Sequence, residues 1–236
     1  MNWSQIFTSS IGKKLVMGIT GLFLITFLVV HMGVNACIFK DAIVPEDNGD
    51  MFNRAADYMG RTVVIRIMEV VLFLGFIVHI VQGFMLEFQN RSKRGKGYEI
   101  DLGNRGSKWY SRSMGLLGTL LFLFLILHWW HFWIPSRFTH AGLDPVMLSN
   151  ARESHNMFAL MQVTFSEWWV VIIYVLGCIS LAWHLAHGFQ SAFRTLGVHN
   201  KKYLSLLNTL GIGFSIIVPL IFALMPLAFK LGWIGM

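Results

Sequence analysis

Apolar residues in this chain fall into five long runs, about 15–36, 64–86, 113–134, 168–193 and 206–229, separated by polar segments. At about 1.5 Å of rise per residue, each run spans the ~30 Å hydrocarbon core of a bilayer as an α-helix. The pattern predicts an all-α integral membrane protein, a single membrane domain over residues 1–236 with five transmembrane helices. The polar lead Met1–Lys14, with Trp3, Ile6 and Phe7, is expected to lie along the membrane surface. The first run exceeds the apolar core of a signal peptide, and Ala36-Cys37 only faintly matches a lipoprotein cleavage site, so a retained helix is expected. Residues 38–62 read as a loop rich in Asp, Glu and Asn. The segment before the fourth run reads as a polar loop carrying Pro135, His140, Pro145 and His155.

Composition agrees with the pattern. Hydrophobic residues make up 55% of the chain and charged ones 13%, too apolar a balance for an ordinary soluble domain. The net charge of +7 does not indicate nucleic acid, because the basic residues sit in short segments between apolar runs, as topology signals do. The N-terminus, the second-to-third connection and the fourth-to-fifth turn carry 2, 7 and 3 Lys or Arg, against 7 over all opposite segments. This asymmetry places the N-terminus in the cytoplasm and the C-terminus outside. Trp129, Trp130, Trp133, Trp168 and Trp169 then fall at outer helix ends and Trp109 at an inner one. Cys37 and Cys178 read as packing residues, and the absence of C-x-x-C-H argues against covalent c-type haem.

Within this topology the histidines sort by depth. His31 and His128 come late on outward-running helices and so lie in the outer half. His79 and His184 come late on inward-running helices and lie in the inner half. One histidine on each of four helices, two at each of two depths, is what two haems with bis-histidine ligation require, since each iron takes an imidazole on either face. Helix arithmetic sets the two planes roughly 10–15 Å apart. The first four helices are thus expected to form a haem-binding bundle, with the fifth beside it. Gly75 and Gly83 share a helical face with His79 and are expected to leave room for a flat, bulky group.

A lone intramembrane histidine is often just an interhelical hydrogen-bonding residue; four at matched depths favour ligation. Two doublets leave a choice. His184 has Ser180 and Gly188 one turn away on either side, whereas His187 has Trp183 and Ser191, which favours His184. His128 is preferred over His131 because His131 lies nearer the helix end, where Pro135 follows. The outer pair lacks small neighbours: Phe27 and Asn35 flank His31, and Phe124 and Phe132 flank His128, the phenylalanines either stacking on a porphyrin edge or serving as plain core.

The stretches GKKLVMGITGLFLITFLVVHMGVN, RIMEVVLFLGFIVHIVQGFMLEFQNR, LILHWWHF and SLAWHLAHGFQSAFRTLG resemble the di-haem, single-polypeptide cytochrome b subunit of succinate dehydrogenases and fumarate reductases. The resemblance covers nearly the whole chain, with a histidine in each expected place. It implies haem b ligation by His31 with His128 in the outer half and His79 with His184 in the inner. It further implies a multi-pass anchor in the bacterial cytoplasmic (inner) membrane, holding a flavoprotein and an iron–sulfur subunit on the cytoplasmic side and exchanging electrons with menaquinone, and it admits a dimer of such heterotrimers. The chain itself performs no dicarboxylate chemistry, having neither a dinucleotide fingerprint nor Fe–S cysteine spacing. In some family members a carboxylate stands two residues before the fourth ligand, where this chain has Ala182; that proton route is not carried over.

A quinone pocket is expected near the outer haem, because electrons from the cytoplasm cross two haems only if an acceptor lies beyond the first. Arg66, Glu69, His131, Arg137, His140 and His155 lie at or near outer helix ends and offer hydrogen bonds to a quinone carbonyl. An inner pocket near Trp109 is the alternative. The basic loop with Arg91, Lys93 and Arg94 suits a partner's surface, although it is equally a plain topology signal. Two rival functions remain open: a haem-bearing anchor of hydrogenase or formate dehydrogenase type, and a non-redox transporter with Arg66, Glu69 and the histidines lining a path.

Overall fold

The computed structural model describes residues 9–94 and 109–235. Trp3, Ile6 and Phe7 of the lead, and Lys96, Arg105 and Lys108 of the basic loop, lie outside the described residues. The described chain is mostly helical. Helix α1 spans Ser10–Ala36, α2 Asp50–Arg61, α3 Val63–Arg94, α4 Met114–His128, α5 Met157–Thr164, α6 Trp168–Thr195 and α7 Lys201–Lys230. Strands β1 (Pro145–Met147) and β2 (Glu153–His155) form one antiparallel hairpin. Five helical segments, on α1, α3, α4 with its continuation, α6 and α7, are long and apolar enough to cross a membrane.

Several helices run past the apolar stretches that define them. Helix α3 continues to Arg94, its polar end closed by an i,i+4 pair in which Arg91 Nε lies 2.6 Å from a Glu87 carboxylate oxygen. Beyond His128 the backbone winds into two wide π-helical turns, Trp129–Trp133 and Pro135–Thr139. Pro135 has no N–H to donate and its ring crowds the carbonyl four residues back. The wider winding accommodates it: the N–H of Ile134 bonds to the Trp129 carbonyl and that of His140 to the Pro135 carbonyl.

The chain divides into two compact units. Met1–Phe27, Val71–Phe122 and Ser180–Ile217 make the first; Leu28–Val70, Leu123–Ile179 and Val218–Met236 make the second. In the first, helices approach over small residues. A Cβ on Gly18 would lie 3.5 Å from the Ala192 carbonyl oxygen, and the Ser180 hydroxyl donates to the Leu117 carbonyl at 3.2 Å. The second unit holds an aromatic core in which Phe52, Phe158, Phe165, Tyr174 and Phe229 close over Ile38.

Residues 38–62 and 135–167, expected as loops, instead contain α2, the hairpin and α5. Helix α2 begins after Gly49, whose φ of 73° only glycine adopts readily and whose missing Cβ leaves the space occupied by the Phe158 ring. Its Arg61–Asp57 pair at 2.8 Å supports the exposed face, while Phe52 and Asn53 are buried. Asn53 is 1% exposed. Its amide donates to Asn156 Oδ1 at 3.0 Å and its oxygen accepts from the Phe158 N–H at 2.9 Å. Asn156 in turn caps α5 by accepting from the Ala159 N–H at 2.9 Å. The C-terminal turn is tied down by Asp41, which accepts from the Gly235 N–H at 2.7 Å.

Asn53→Ala strands the Phe158 N–H and removes a partner of Asn156. It should destabilise the second unit by about 1–3 kcal/mol for each buried group left unpaired, read as a lower thermal midpoint in detergent. Partial burial raises the Asp50 carboxyl, but hydrogen bonds from the Ser149 hydroxyl and N–H, with the charges of Arg54 and Lys40, outweigh it and hold the group below the usual carboxylate range. Its contribution is complete above the ordinary carboxylate pKa and is lost as pH falls through the lowered one. The thermal midpoint should therefore drop on acidification through that window, and Asp50→Asn should flatten that part of the dependence.

Candidate functional site

The four histidines at matched depths meet as two pairs, one in each unit. In the first unit His79 on α3 faces His184 on α6, ring centroids 6.3 Å apart and planes at 65°. In the second, His31 on α1 faces His128 at the end of α4, centroids 5.8 Å apart and planes at 87°. A metal–imidazole bond is about 2 Å and a ring's centre lies about 1 Å behind its nitrogen, so two imidazoles in line across one ion have centres about 6 Å apart. Both separations fit that spacing.

The surroundings of each ring follow from its helix position. His79 Nδ1 is 3.0 Å from the Thr20 hydroxyl, and a Cβ on Gly21 would touch the same ring at 3.5 Å. His31 Nδ1 lies 3.3 Å from the Asn35 side-chain nitrogen, one turn along α1. The Nδ1 atoms of His128 and His184 are fully buried without a hydrogen-bond partner among the described residues, a costly arrangement for a polar atom. Phe124 stacks on His128 at 5.8 Å and 24°, and Phe132 lies 5.4 Å away on its other flank. The glycines expected to clear space beside His79 do not do so: the Phe23 ring would lie 2.9 Å from a Cβ on Gly75, and Met17 fills the place beside Gly83 at 3.5 Å. Among the described residues the glycines that meet these imidazoles are Gly21 and Gly118, where a Cβ would lie 3.9 Å from the His184 ring.

Among the described residues no group of three or more His, Cys, Asp or Glu side chains could hold a bare metal ion. A facing pair supplies two ligands only, which suits an ion whose other positions come from a macrocycle. The donor set and the spacing fit haem iron.

Within the first doublet it is His128 that faces His31. It is His184 that faces His79. His131 turns to Tyr174 instead, its Nδ1 3.0 Å from the buried hydroxyl and the two rings stacked at 9°. Glu69 and Arg137 form an ion pair: Arg137 Nη2 is 3.0 Å from Oε2 and its Nε donates to Oε1 at 3.1 Å. The Trp133 indole N–H donates to the same Oε1 at 2.6 Å. Arg66 is exposed. His140 and His155 stack at 4.9 Å and 19°, outside the spanning segments. In the first unit Trp109 and Tyr110 pack on Trp183, centroids 4.9 and 5.4 Å away. Sequence reasoning does not single out Thr20 beside His79, Tyr174 beside His131 or Trp133 beside Glu69. Their signal is a polar atom inside an apolar run, which shows that a partner is needed without naming it.

These features define a mostly helical, multi-pass membrane protein with two facing histidine pairs in apolar surroundings. No family model, curated protein or solved structure matches the chain.

Removing either member of the Glu69–Arg137 pair leaves a half-buried charge facing the other. A double-mutant cycle with Glu69→Gln and Arg137→Gln should give a coupling of about 1–3 kcal/mol in thermal unfolding; additive effects would mean that the two act independently.

Proposed function

We propose that the chain is the membrane-anchor cytochrome b subunit of a succinate:quinone oxidoreductase, a succinate dehydrogenase or fumarate reductase, binding two b haems and serving menaquinone. The observation that carries this reading is the meeting of four histidines, one from each of four spanning segments, as two pairs at the separation an iron between them requires. His79 and His184 hold the haem of the cytoplasmic half, His31 and His128 that of the outer half. When bound, each haem supplies one-electron transfer between the iron–sulfur subunit and the quinone. The protein orients the imidazoles, surrounds them with apolar side chains and keeps water from the iron.

The quinone pocket belongs with Glu69, Arg137 and Trp133. Their ion pair and indole N–H set a carboxylate and two donors together at one helix end, with His131 and exposed Arg66 as further candidates. The N-terminus lies in the cytoplasm, the C-terminus outside, and the basic stretch with Arg91, Lys93 and Arg94 meets the flavoprotein and iron–sulfur subunits. The pairing of Arg91 with Glu87 offsets part of the positive charge that such a face would offer.

The test is to purify the chain with its partners from bacterial membranes, then measure haem content and succinate-to-menaquinone activity in histidine variants. His79→Ala and His184→Ala should each lose one haem, His31→Ala and His128→Ala the other, and His131→Ala and His187→Ala should keep both. Retention of both haems in His184→Ala with loss of one in His187→Ala would overturn the ligand assignment. Copurification with hydrogenase or formate dehydrogenase subunits and no succinate activity would move the chain to another class of quinone-linked anchor.

A further inference from the structure

A neutral imidazole ligates iron through one nitrogen and carries its proton on the other, so what meets the second nitrogen fixes which one faces the metal. For His79 the structure supplies that partner in Thr20. The threonine hydroxyl has one proton. Its oxygen lies 2.8 Å from the Val16 carbonyl oxygen and 3.3 Å from that of Met17, in the geometry of a helical threonine donating one turn back. With the proton so used, the 3.0 Å contact between Thr20 Oγ1 and His79 Nδ1 is a hydrogen bond in which the ring donates and the hydroxyl oxygen accepts. Nδ1 then carries the hydrogen, and the lone pair left for a metal is on Nε2.

Two further features confine the effect to this ring. The imidazole edge rests on α1 at Gly21, where a Cβ would lie 3.5 Å from His79 Cε1. The opposing His184 has no hydrogen-bond partner for its buried Nδ1 among the described residues, so nothing comparable offsets the interaction from the other face.

We infer that Thr20 is a positioning residue for the haem of the cytoplasmic half: it fixes the tautomer and orientation of His79 and tunes the electron donation of that imidazole to iron. The inference rests on the haem reading above. An Nδ1–H donated to an oxygen makes the imidazole a stronger base toward its metal, which favours the ferric over the ferrous state. Losing the hydroxyl should raise the midpoint potential of one haem and leave the other unchanged.

Thr26 provides a control within the same helix. Its hydroxyl also donates one turn back, to the Leu22 carbonyl at 3.1 Å, but it is exposed and hydrogen-bonds to no histidine among the described residues. The experiment is a spectroelectrochemical titration of the assembled complex carrying Thr20→Val, Thr20→Ser or Thr26→Val. Thr20→Val should keep two haems and shift the reduced-to-oxidised ratio of one at fixed potential by up to about tenfold, equivalent to about 59 mV for one electron. Thr20→Ser and Thr26→Val should stay near the wild type. Loss of one haem in Thr20→Val with full rescue in Thr20→Ser would also support the role. Unchanged potentials in Thr20→Val, an equal shift in Thr26→Val, or equal haem loss in Thr20→Val and Thr20→Ser would overturn it. A wild-type complex without haem would instead refute the haem reading itself.

Discussion

A ring nitrogen carried into the hydrocarbon of a membrane loses water as a partner, and the helix that carries it offers none in return, since its backbone groups are already bonded to one another. This constraint organises both units. His79 finds the Thr20 hydroxyl and His31 lies against the Asn35 amide, while His128 and His184 are left with buried Nδ1 atoms unpartnered among the described residues. In each pair one imidazole is braced and the other is not.

The second unit meets a different demand with different chemistry. Outside its spanning segments, polar side chains can be satisfied by precise local bonding, so the cap is built from asparagines and carboxylates around an aromatic core. Asn53 and Asn156 join α2 to α5 through one shared amide contact, and Asp50 reaches the tight turn of the hairpin through the Ser149 N–H and hydroxyl. Glu69, at the start of the spanning part of α3, is held by Arg137 and Trp133. It therefore stands where the polar cap meets apolar helix.

What the sequence makes legible follows from which signals are local. Long apolar runs announce the five spanning segments because bilayer thickness sets their length, and the pairing of His31 with His128 and of His79 with His184 is readable because depth along a helix is a matter of counting. Features decided by tertiary contact are not readable. Helix α2 is short and polar, and its stability comes from burying Phe52 and Asn53 rather than from a run of hydrophobic residues. The space beside Gly75 looks open in the helical pattern, yet Phe23 from α1 fills it. The position of His131 against Tyr174 depends on a residue 43 places further along, and Pro135 changes the winding of the segment that carries it.

The central claim is that each histidine pair holds one haem iron. The most direct measurement is the haem content of the purified chain, from its reduced-minus-oxidised spectrum and a pyridine haemochrome assay against protein concentration. The account predicts two b haems per chain, both with the low-spin spectrum of bis-imidazole iron. A chain that folds and purifies from membranes grown with ample haem yet carries none, or only one, would contradict it.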